Sequence, residues 1–505
     1  MSLDTSSDTA RDTSDLLPAV ADFLSSPKQL LIDGEWVDAK DGQTFGTVNP
    51  ATEEVLVEVS QASAVDADRA VVAARNAFEA GSPWQTMTPR ERSHLLWRIG
   101  DLIDEQSEEF AQLESLDNGK SLASARGDVG VAAELFRYFA GWATKMEGTS
   151  IPMSVPGREF HAYTRREAIG VVAGIVPWNF PLTMAAFKVI PSITAGNTVV
   201  LKPAEQTPLT ALRLGQLLLD AGVPAGVVNV LPGFGDAGAA LVDHAGVDKV
   251  AFTGSTEVGK KIAAGASRNL KKVSLELGGK APNIIFNDAD LEAAIAGAAL
   301  AGYFNEGQCC VNGSRLYVQR DVFDEVIEGV AAAAKAIRVG DAFDPATTMG
   351  PLVSQEQHEK VMGYVRGAVT DGAELVAGSP DRAAEKGYFF SPTLITGVTE
   401  EMAIQTDEIF GPVITAIPFD TEDEAVAAAN NTVYGLAAGV WSKDLGTAHR
   451  VGGKLRAGTV WLNTWHADDV VLPRGGFKQS GWGRELGSFG LDDYTELKTV
   501  IAELR

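Results

Sequence analysis

Between residues 170 and 277, short apolar runs alternate with longer amphipathic segments, and this alternation constrains the fold more than any other feature. The runs are rich in β-branched residues and predict strands at residues 170–176, 197–202, 227–231, 249–252 and 273–277. Thr207 and Pro208 predict a helix start, with Thr as N-cap and Pro at the first helical position, and Gly222 its end. Strands that alternate with helices of about 10–15 residues predict βαβ units and a parallel sheet.

The rest of the chain predicts further α/β structure. At 505 residues it is too long for one simple core, so two or three domains are expected. Strands and helices alternate again over residues 280–472, which predicts a second α/β domain. Helical periodicity covers residues 65–116 and 129–143, and extended segments are expected near residues 163–166 and 491–504.

The composition excludes several classes of function. The 42 Lys and Arg against 67 Asp and Glu give a formal charge of −25, which argues against nucleic acid or an anionic membrane as a partner. Residues 1–26 lack the basic start and apolar centre of a secretory signal, so we expect an acidic flexible tail over residues 1–27. The longest apolar stretch, residues 168–176, is too short to span a bilayer. With few cysteines, a reducing cytoplasm is the expected location.

The only two cysteines, Cys309 and Cys310, are adjacent. This pattern builds neither a disulfide framework nor a zinc cluster, and no metal site is expected. A buried pair of small apolar residues is one interpretation. A nucleophile is the other, favoured because a helical run over residues 290–304 leads into Gly307 and a polar, Gly-rich segment. A thiolate there can attack a carbonyl carbon.

Two polar residues at strand ends suit the same chemistry. Glu276 lies among leucines at the end of the fifth predicted strand, where burial would raise its pKa and prepare it as a general base. A buried salt bridge is the alternative interpretation of this carboxylate. Asn179 follows the first predicted strand, and its amide can donate a hydrogen bond to a developing oxyanion.

Other strand ends offer sites for a dinucleotide. Residues 254–259 lie between a strand end and a helix start, where free N–H groups can meet a pyrophosphate, and an ordinary turn is the equal alternative. Residues 233–238 match G-x-G-x-x-G, a weak signal because no well-placed acidic residue follows about 20 positions on. Lys202 and Glu205 follow the second strand and either bind ribose hydroxyls or are solvated.

Six motifs occur in a fixed order along the chain. They are Pro177-Trp178-Asn179-Phe180-Pro181, Phe252-Thr253-Gly254-Ser255-Thr256, Leu275-Glu276-Leu277-Gly278-Gly279-Lys280, Gly307-Gln308-Cys309-Cys310, Glu408-Ile409-Phe410-Gly411-Pro412 and Gly475-Gly476-Phe477-Lys478-Gln479-Ser480-Gly481. From about residue 28 to the C-terminus, the chain resembles the NAD(P)-dependent aldehyde dehydrogenases. Residues 163–182 and 463–472 are most similar to phenylacetaldehyde dehydrogenases of bacterial aromatic catabolism.

The resemblance implies an arrangement of domains. A Rossmann-like parallel-sheet cofactor domain would comprise residues 28–146 and 169–278, and an α/β catalytic domain residues 279–487. Residues 147–168 and 488–505 would form an extended β oligomerisation arm, which implies a homotetramer or dimer.

The resemblance also implies roles for individual residues. Cys310, rather than Cys309, would be the nucleophile, with Asn179 and the Cys310 backbone N–H as oxyanion hole, Glu276 as base, and Lys188 and Glu485 on a proton exit path. The cofactor would be NAD⁺ rather than NADP⁺, because the Glu205 carboxylate would repel a 2′-phosphate. The positions that match cofactor contacts are Val176, Pro177, Trp178, Lys202, Ala204, Glu205, Gly235, Gly238, Phe252, Thr253, Gly254, Ser255, Val258, Leu277, Glu408 and Phe410.

The expected substrate pocket is mostly apolar and aromatic, which favours a hydrophobic or arylalkyl aldehyde such as phenylacetaldehyde. Its expected lining is Phe180, Met184, Phe187, Phe304, Cys309, Val311, Trp465, Asp468 and Arg474. Arg474 replaces an aromatic residue that is usual in the family, and the nearby loop carries His466, Asp468 and Asp469. Either Arg474 and an Asp neutralise each other, or Arg474 recognises a semialdehyde carboxylate, or the Asp pair recognises a cationic aminoaldehyde.

Two functions of other classes stay open from the sequence. A relative of this fold can bind a dinucleotide in a structural role without turnover, although Cys310, Glu276 and Asn179 are all present. A hydrolase that uses the same thioester chemistry is the second, and activity without cofactor would identify it.

Overall fold

The computed structural model describes residues 16–504, and its strands fall into four sheets. In chain order the strands are β1 Leu30–Ile32, β2 Glu35–Val37, β3 Thr44–Asn49, β4 Glu54–Ser60, β5 Ser150–Ile151, β6 Glu159–Ala168, β7 Val171–Ile175, β8 Thr198–Lys202, β9 Val228–Val230, β10 Lys249–Thr253, β11 Lys272–Glu276, β12 Pro282–Ile285, β13 Arg315–Gln319, β14 Glu374–Ala377, β15 Thr393–Thr396, β16 Val413–Phe419, β17 Ala437–Trp441, β18 Thr459–Leu462, β19 Gly481–Trp482 and β20 Thr495–Leu504.

Helices connect most of these strands. In chain order they are α1 Pro18–Leu24, α2 Ala64–Phe78, α3 Pro83–Thr86, α4 Pro89–Glu105, α5 Ser107–Asn118, α6 Leu122–Ala140, α7 Pro181–Ala195, α8 Leu209–Ala221, α9 Gly235–Asp243, α10 Thr256–Ala266, α11 Leu291–Tyr303, α12 Phe323–Ala336, α13 Gln355–Thr370, α14 Ala403–Thr406, α15 Glu422–Asn430 and α16 Leu445–Lys454. Within residues 16–504, none of them combines the length and apolar character needed to cross a bilayer.

The first large sheet has the strand order β19-β11-β10-β7-β8-β9-β1-β2. The five strands β11, β10, β7, β8 and β9 are mutually parallel, as the alternation of residues 170–277 predicted. β7 and β8 are buried along their whole length, which explains their continuous apolar sequence. At the two edges, β1, β2 and β19 add antiparallel strands from distant parts of the chain.

The second large sheet has the order β14-β15-β16-β13-β12-β17-β18 and is parallel except for β14. The sheets confirm the predicted α/β fold class. A third sheet pairs β20 antiparallel with β6 over ten residue pairs and adds β5, so the two predicted extended segments meet each other. The assignment of residues to cofactor, catalytic and arm domains stays a prediction.

Two local expectations differ from the structure. Most of the expected tail lies outside the described residues, but residues 16–27 contain α1, whose Val20 is fully buried and which is anchored where Leu17 N donates to Gln112 Oε1 at 2.9 Å. At the start of α8 the N-cap is Pro208 rather than Thr207, because Asp117 Oδ2, from α5, accepts the Leu209 N–H at 2.9 Å. The end of α8 at Gly222, with positive φ, is as predicted.

Candidate active site

The site lies where several parallel strands of the first sheet end together. β8, β7, β10 and β11 are neighbours in that order, so their carboxyl ends share one edge of the sheet. This edge carries Lys202 at the end of β8, Asn179 after β7, Ser255 after β10 and Glu276 at the end of β11. The sheet therefore brings together side chains that are far apart in sequence.

The cysteine pair approaches this edge on a tight turn. After α11 the chain adopts left-handed backbone at Asn305, Glu306 and Gly307, with φ of 51°, 57° and 67°. A Cβ at Gly307 would lie 2.0 Å from the Gly411 carbonyl oxygen, so only glycine fits. Asn312 Nδ2 donates to Gly307 O at 2.9 Å and holds the turn from its far side. Together these contacts fix the backbone that presents Cys310.

Cys309 is buried, whereas Cys310 is partly exposed, and both line a cavity of about 860 Å³. The contact with the Cys309 thiol and burial raise the pKa of Cys310 well above the usual thiol range. The positive charge of Arg474 acts in the opposite direction and does not prevail. The surroundings of Cys310 therefore favour its neutral thiol over its thiolate.

Asn179 lies beside the cysteine segment. Its side chain is buried, its Nδ2 donates to Gln308 O at 3.0 Å, and its Oδ1 has no hydrogen-bond partner among the described residues. An amide NH₂ carries two protons, so one N–H remains for a ligand in the cavity that Asn179 lines. A free amide N–H on a residue that lines the cavity can donate to an oxyanion that develops there.

Glu276 precedes a loop that packs directly on the backbone of Cys310. A Cβ at Gly279 would lie 2.2 Å from the Cys310 carbonyl oxygen, which shows how closely the loop approaches. Glu276 Oε1 is buried without a partner in the described part of the chain, so the salt-bridge interpretation of Glu276 finds no support. Burial, then the Glu485 charge, raises the pKa of Glu276 well above the usual carboxyl range. Leu277 and Gly278, rather than Glu276 itself, form the adjoining cavity wall.

Lys188 and Glu485 form a buried ion pair behind Glu276. Lys188 lies on α7 and is fully buried, and Glu485 is 5 % exposed in its side chain. Both charges act on the pKa of Glu276, Glu485 raising it and Lys188 lowering it. Two backbone hydrogen bonds join Glu485 to Arg474: Arg474 N donates to Glu485 O at 2.7 Å, and Glu485 N donates to Arg474 O at 2.8 Å.

The predicted cofactor residues fall into two groups. The cavity wall includes Pro177, Trp178, Thr253, Gly254, Ser255, Leu277, Glu408 and Phe410. The second group lies outside the cavity wall, near the ends of β7, β8 and β10 or in the first turns of α9 and α10. Its members are Val176, Lys202, Ala204, Glu205, Gly235, Gly238, Phe252 and Val258. Lys202 Nζ lies 3.6 Å from Glu205 Oε2, so these two side chains are paired with each other rather than simply solvated.

Several features of the first group fit a dinucleotide. Ser255 is the N-cap of α10, and its Oγ accepts a hydrogen bond from Val258 N at 3.3 Å. Because Ser255 also lines the cavity, the N-terminus of α10 begins at the cavity wall. Thr253 Oγ1 is buried without a partner within residues 16–504. Glu408 accepts the Gly279 N–H at 2.8 Å, and Trp178 packs edge-on against Phe410 with ring centroids 5.2 Å apart. Hydroxyl and carboxylate groups suit the hydroxyls of a ribose, and N–H groups suit phosphate oxygens.

The other end of the cavity is aromatic. Phe180 stacks on Phe304 with centroids 6.1 Å apart, and His466 lies 4.7 Å from Phe304. The predicted lining residues in the wall are Phe180, Met184, Phe187, Phe304, Cys309, Val311, Asp468 and Arg474. Trp465 is not among them: it is buried behind the wall, packed against Trp461 at 5.0 Å. Sequence reasoning missed Gly127, Gly130, Val131 and Glu134, one face of α6 that carries no chemical signal of its own.

Arg474 and Asp468 form an ion pair in the cavity wall. Their side chains are 29 % and 28 % exposed, so the pair is within reach of a ligand. His466 Nδ1 lies 4.0 Å from Asp468, and burial lowers the pKa of His466 to about 4, which keeps the imidazole neutral. Of the three interpretations of Arg474, the structure favours mutual neutralisation with an Asp.

Comparison with known proteins gives a consistent result. The model of the aldehyde dehydrogenase family matches residues 36–500. The human mitochondrial aldehyde dehydrogenase is 49% identical over 94% of this chain and 92% of its own length. The NAD⁺ complex of a Bacillus cereus aldehyde dehydrogenase has a TM-score of 0.95 and 49% identity, covering 97% of this chain and 99% of that chain. A betaine aldehyde dehydrogenase of Staphylococcus aureus, also with NAD⁺, has a TM-score of 0.92 and 41% identity, covering 96% and 97%. None of these names specifies phenylacetaldehyde.

Proposed function

The chain belongs to the aldehyde dehydrogenase family and is an enzyme that acts on the aldehyde group; we propose that it uses NAD⁺ and Cys310 to oxidise a hydrophobic or arylalkyl aldehyde to the carboxylate. One observation carries the proposal: Cys310 and the free N–H of Asn179 face one cavity, and Glu276 leads into the loop that packs on Cys310. A nucleophile, an oxyanion donor and a base are the three groups that oxidation through an acyl-enzyme requires.

The residues of this chain divide the reaction into steps. The Cys310 thiol gives its proton to the Glu276 carboxylate, which passes it to the Lys188–Glu485 pair. The sulfur attacks the aldehyde carbon, giving a thiohemiacetal whose oxyanion accepts hydrogen bonds from Asn179 and the Cys310 N–H. The bound nicotinamide supplies the acceptor for the hydride that leaves this carbon. Glu276 then deprotonates a water that attacks the resulting thioester and releases the carboxylate. The Lys188–Glu485 pair, adjacent to Glu276, takes the proton onward.

The preference for NAD⁺ rests on Glu205. Its carboxylate, held beside Lys202, would accept hydrogen bonds from ribose hydroxyls and repel a 2′-phosphate. The same ion pair partly neutralises the Lys202 ammonium, which would otherwise attract a 2′-phosphate. The solved structure of the Bacillus cereus relative, which is 49% identical, is a complex with NAD⁺.

The substrate preference rests on the aromatic end of the cavity. Phe180 and Phe304 line the cavity and stack on each other with ring planes 24° apart, which suits phenylacetaldehyde and a role in aromatic catabolism. Because Arg474 is already paired with Asp468, its charge is neutralised locally and is not available to a semialdehyde carboxylate. A cationic aminoaldehyde is the second candidate, because Asp469 and Glu134 also line the cavity and a betaine aldehyde dehydrogenase is among the relatives.

Assembly into a homotetramer or dimer is part of the proposal. β20 is an edge strand of its three-stranded sheet and exposes Leu497 and Ile501, so it offers both unpaired backbone groups and apolar surface to a second copy. Neither nucleic acid nor membrane is proposed as a partner, and the cytoplasm remains the expected location.

The test is formation of reduced nicotinamide with phenylacetaldehyde, succinic semialdehyde and a four-carbon aminoaldehyde, each with NAD⁺ and with NADP⁺. We expect NAD⁺-dependent turnover that is fastest with phenylacetaldehyde. Cys310→Ala should abolish it, whereas the matched variant Cys309→Ala should retain the chemistry and shift only KM. No turnover with any aldehyde would support the non-catalytic reading, and thioester or ester cleavage without cofactor alone would support the hydrolase.

A further inference from the structure

A buried cluster of charges lies directly behind Asn179. At its centre is Lys120, which follows α5 and is fully buried. Its Nζ lies 2.5 Å from Asp128 Oδ2 and 3.6 Å from Glu114 Oε1, and it donates to the Asn179 backbone carbonyl at 3.0 Å. The same ammonium lies 4.4 Å from the centre of the Phe180 ring. One side chain therefore contacts two consecutive residues of the cavity wall.

The Asn179 carbonyl has a second donor from the nucleophile segment. Asn305 Nδ2 donates to Asn179 O at 3.1 Å and to Gln308 O at 3.1 Å. Asn179 Nδ2 donates to the same Gln308 O at 3.0 Å. Lys120 thus belongs to a continuous hydrogen-bond network that ends two residues before Cys310. Neighbouring support comes from Asn118, whose Nδ2 donates to Trp178 O at 2.8 Å.

Lys120 keeps its charge in this position. Burial alone would lower the pKa of Lys120, but Asp128 and Glu114 outweigh burial and the pKa is raised. A buried ammonium with no exposed surface is costly to desolvate, so the charge of Lys120 depends on the carboxylates of Asp128 and Glu114 beside it. Here the ammonium also gives a carbonyl a charge-assisted hydrogen bond, which is shorter and stronger than a neutral one.

We propose that Lys120 is a positioning residue of the acylation site: it holds the main chain of Asn179, and so the direction of the Asn179 amide, and it fixes Phe180 from behind. This inference rests on the function proposed above. Lys120 does not touch the aldehyde, because it is fully buried and does not line the cavity. Its effect on kcat is transmitted through the Asn179 amide, and its contact with Phe180 acts on the binding of the aldehyde.

The experiment is a double-mutant cycle between Lys120→Met and Asn179→Ala in the full-length enzyme, with NAD⁺ and the best aldehyde. Met has nearly the length of Lys without its charge. Loss of an oxyanion donor costs about 100- to 1000-fold in kcat, and misplacement of a reacting group costs up to about 100-fold. We expect Lys120→Met to lower kcat about 10- to 100-fold in the wild-type background but less than about threefold in Asn179→Ala, because there is no amide left to position.

A second readout separates positioning from general damage. Alkylation of Cys310 by iodoacetamide forms no oxyanion, so its rate and the KM for NAD⁺ should change by less than about twofold in Lys120→Met. If Met at this position prevents folding by leaving Asp128 unpaired, Lys120→Met with Asp128→Asn removes both charges, and the same cycle applies. Lys335→Met, an exposed lysine on α12, is the control for loss of one positive charge and should behave as wild type.

The outcomes distinguish this inference from the proposed function. Equal losses from Lys120→Met in both Asn179 backgrounds, or a matching loss in alkylation rate, would refute the positioning role while the enzyme itself still turns over. If the wild-type protein fails to reduce NAD⁺ with every aldehyde tested, the proposed function is refuted instead.

Discussion

Replacement of Glu306 by Gln should change how the stability of the enzyme depends on pH. Glu306 is a buried residue of the turn that precedes Cys309 and Cys310. Its Oε1 accepts the Gly350 N–H at 2.9 Å, and its Oε2 has no partner in the described part of the chain. Burial raises the pKa of Glu306 from 4.5 to about 7. The folded protein therefore binds a proton between about pH 4.5 and 7 that the unfolded chain releases, so this carboxyl destabilises the fold as pH rises through that window.

The magnitude follows from that window. At about 1.36 kcal/mol per pH unit, the difference between 4.5 and about 7 costs the wild-type fold roughly 3 kcal/mol above pH 7 and almost nothing below pH 4.5. Gln keeps the acceptor for Gly350 and carries no such cost, so the advantage of the variant should grow by about 3 kcal/mol across the window. At about 2.1 cal/mol/K per residue, 505 residues that unfold together convert this into about 3 °C of Tm.

The assay is the Tm difference between Glu306→Gln and wild type, measured by calorimetry at about pH 4.5 and pH 8. The quantity of interest is its change with pH, because a buried Gln NH₂ without a partner would cost a constant amount at every pH. Glu328→Gln, at an exposed position on α12, should show no such change. A Tm difference for Glu306→Gln that stays flat between the two pH values would refute the buried-carboxyl reasoning.

Three further expectations concern catalysis and specificity. Glu276→Gln should give one burst of NADH per active site and then a steady-state rate about 100- to 10,000-fold below wild type, and full steady-state turnover would exclude Glu276 as the base. Because burial raises the pKa of Glu276 and the base acts deprotonated, wild-type kcat should rise with pH through a limb above 4.5; a limb at or below 4.5 would contradict this. Glu205→Gln should lower the KM for NADP⁺ about tenfold with little change for NAD⁺, measured as initial rates, because it frees the Lys202 charge and removes a repulsion.

Much of the sheet could be predicted from the sequence because a buried parallel strand has a local signature. β7 and β8 are continuous apolar runs, and the rule that ligands meet the carboxyl ends of such strands then located Asn179 and Glu276. Trp465 could not be placed in this way. Its neighbours in sequence do not decide whether its ring faces the cavity or the core; it packs beside Gly313 and Gly439, where an added Cβ would clash with it.

The network around Lys120 was invisible for a related reason. A lysine in an Asn-Gly-Lys-Ser stretch has the composition of a solvated turn, and its ligands come from α6 and from the segment after β7. α1 was missed similarly, since its seven residues are stabilised by contact with α5 rather than by their own periodicity. In each case the deciding partner is distant along the chain, so no local pattern records it.

The charges around Cys310 indicate when its proton leaves. Arg474 would lower the pKa of the thiol, but Asp468 pairs with Arg474, and the pKa of Cys310 remains raised by the Cys309 contact and by burial. These surroundings favour the neutral thiol of Cys310 over its thiolate. The loop that follows Glu276 packs on the Cys310 backbone, and the Cys310 charge acts on the pKa of Glu276, so we propose that Glu276 also accepts the thiol proton. On this proposal, deprotonation of Cys310 is part of acylation, and both acylation and deacylation depend on the ionisation of Glu276.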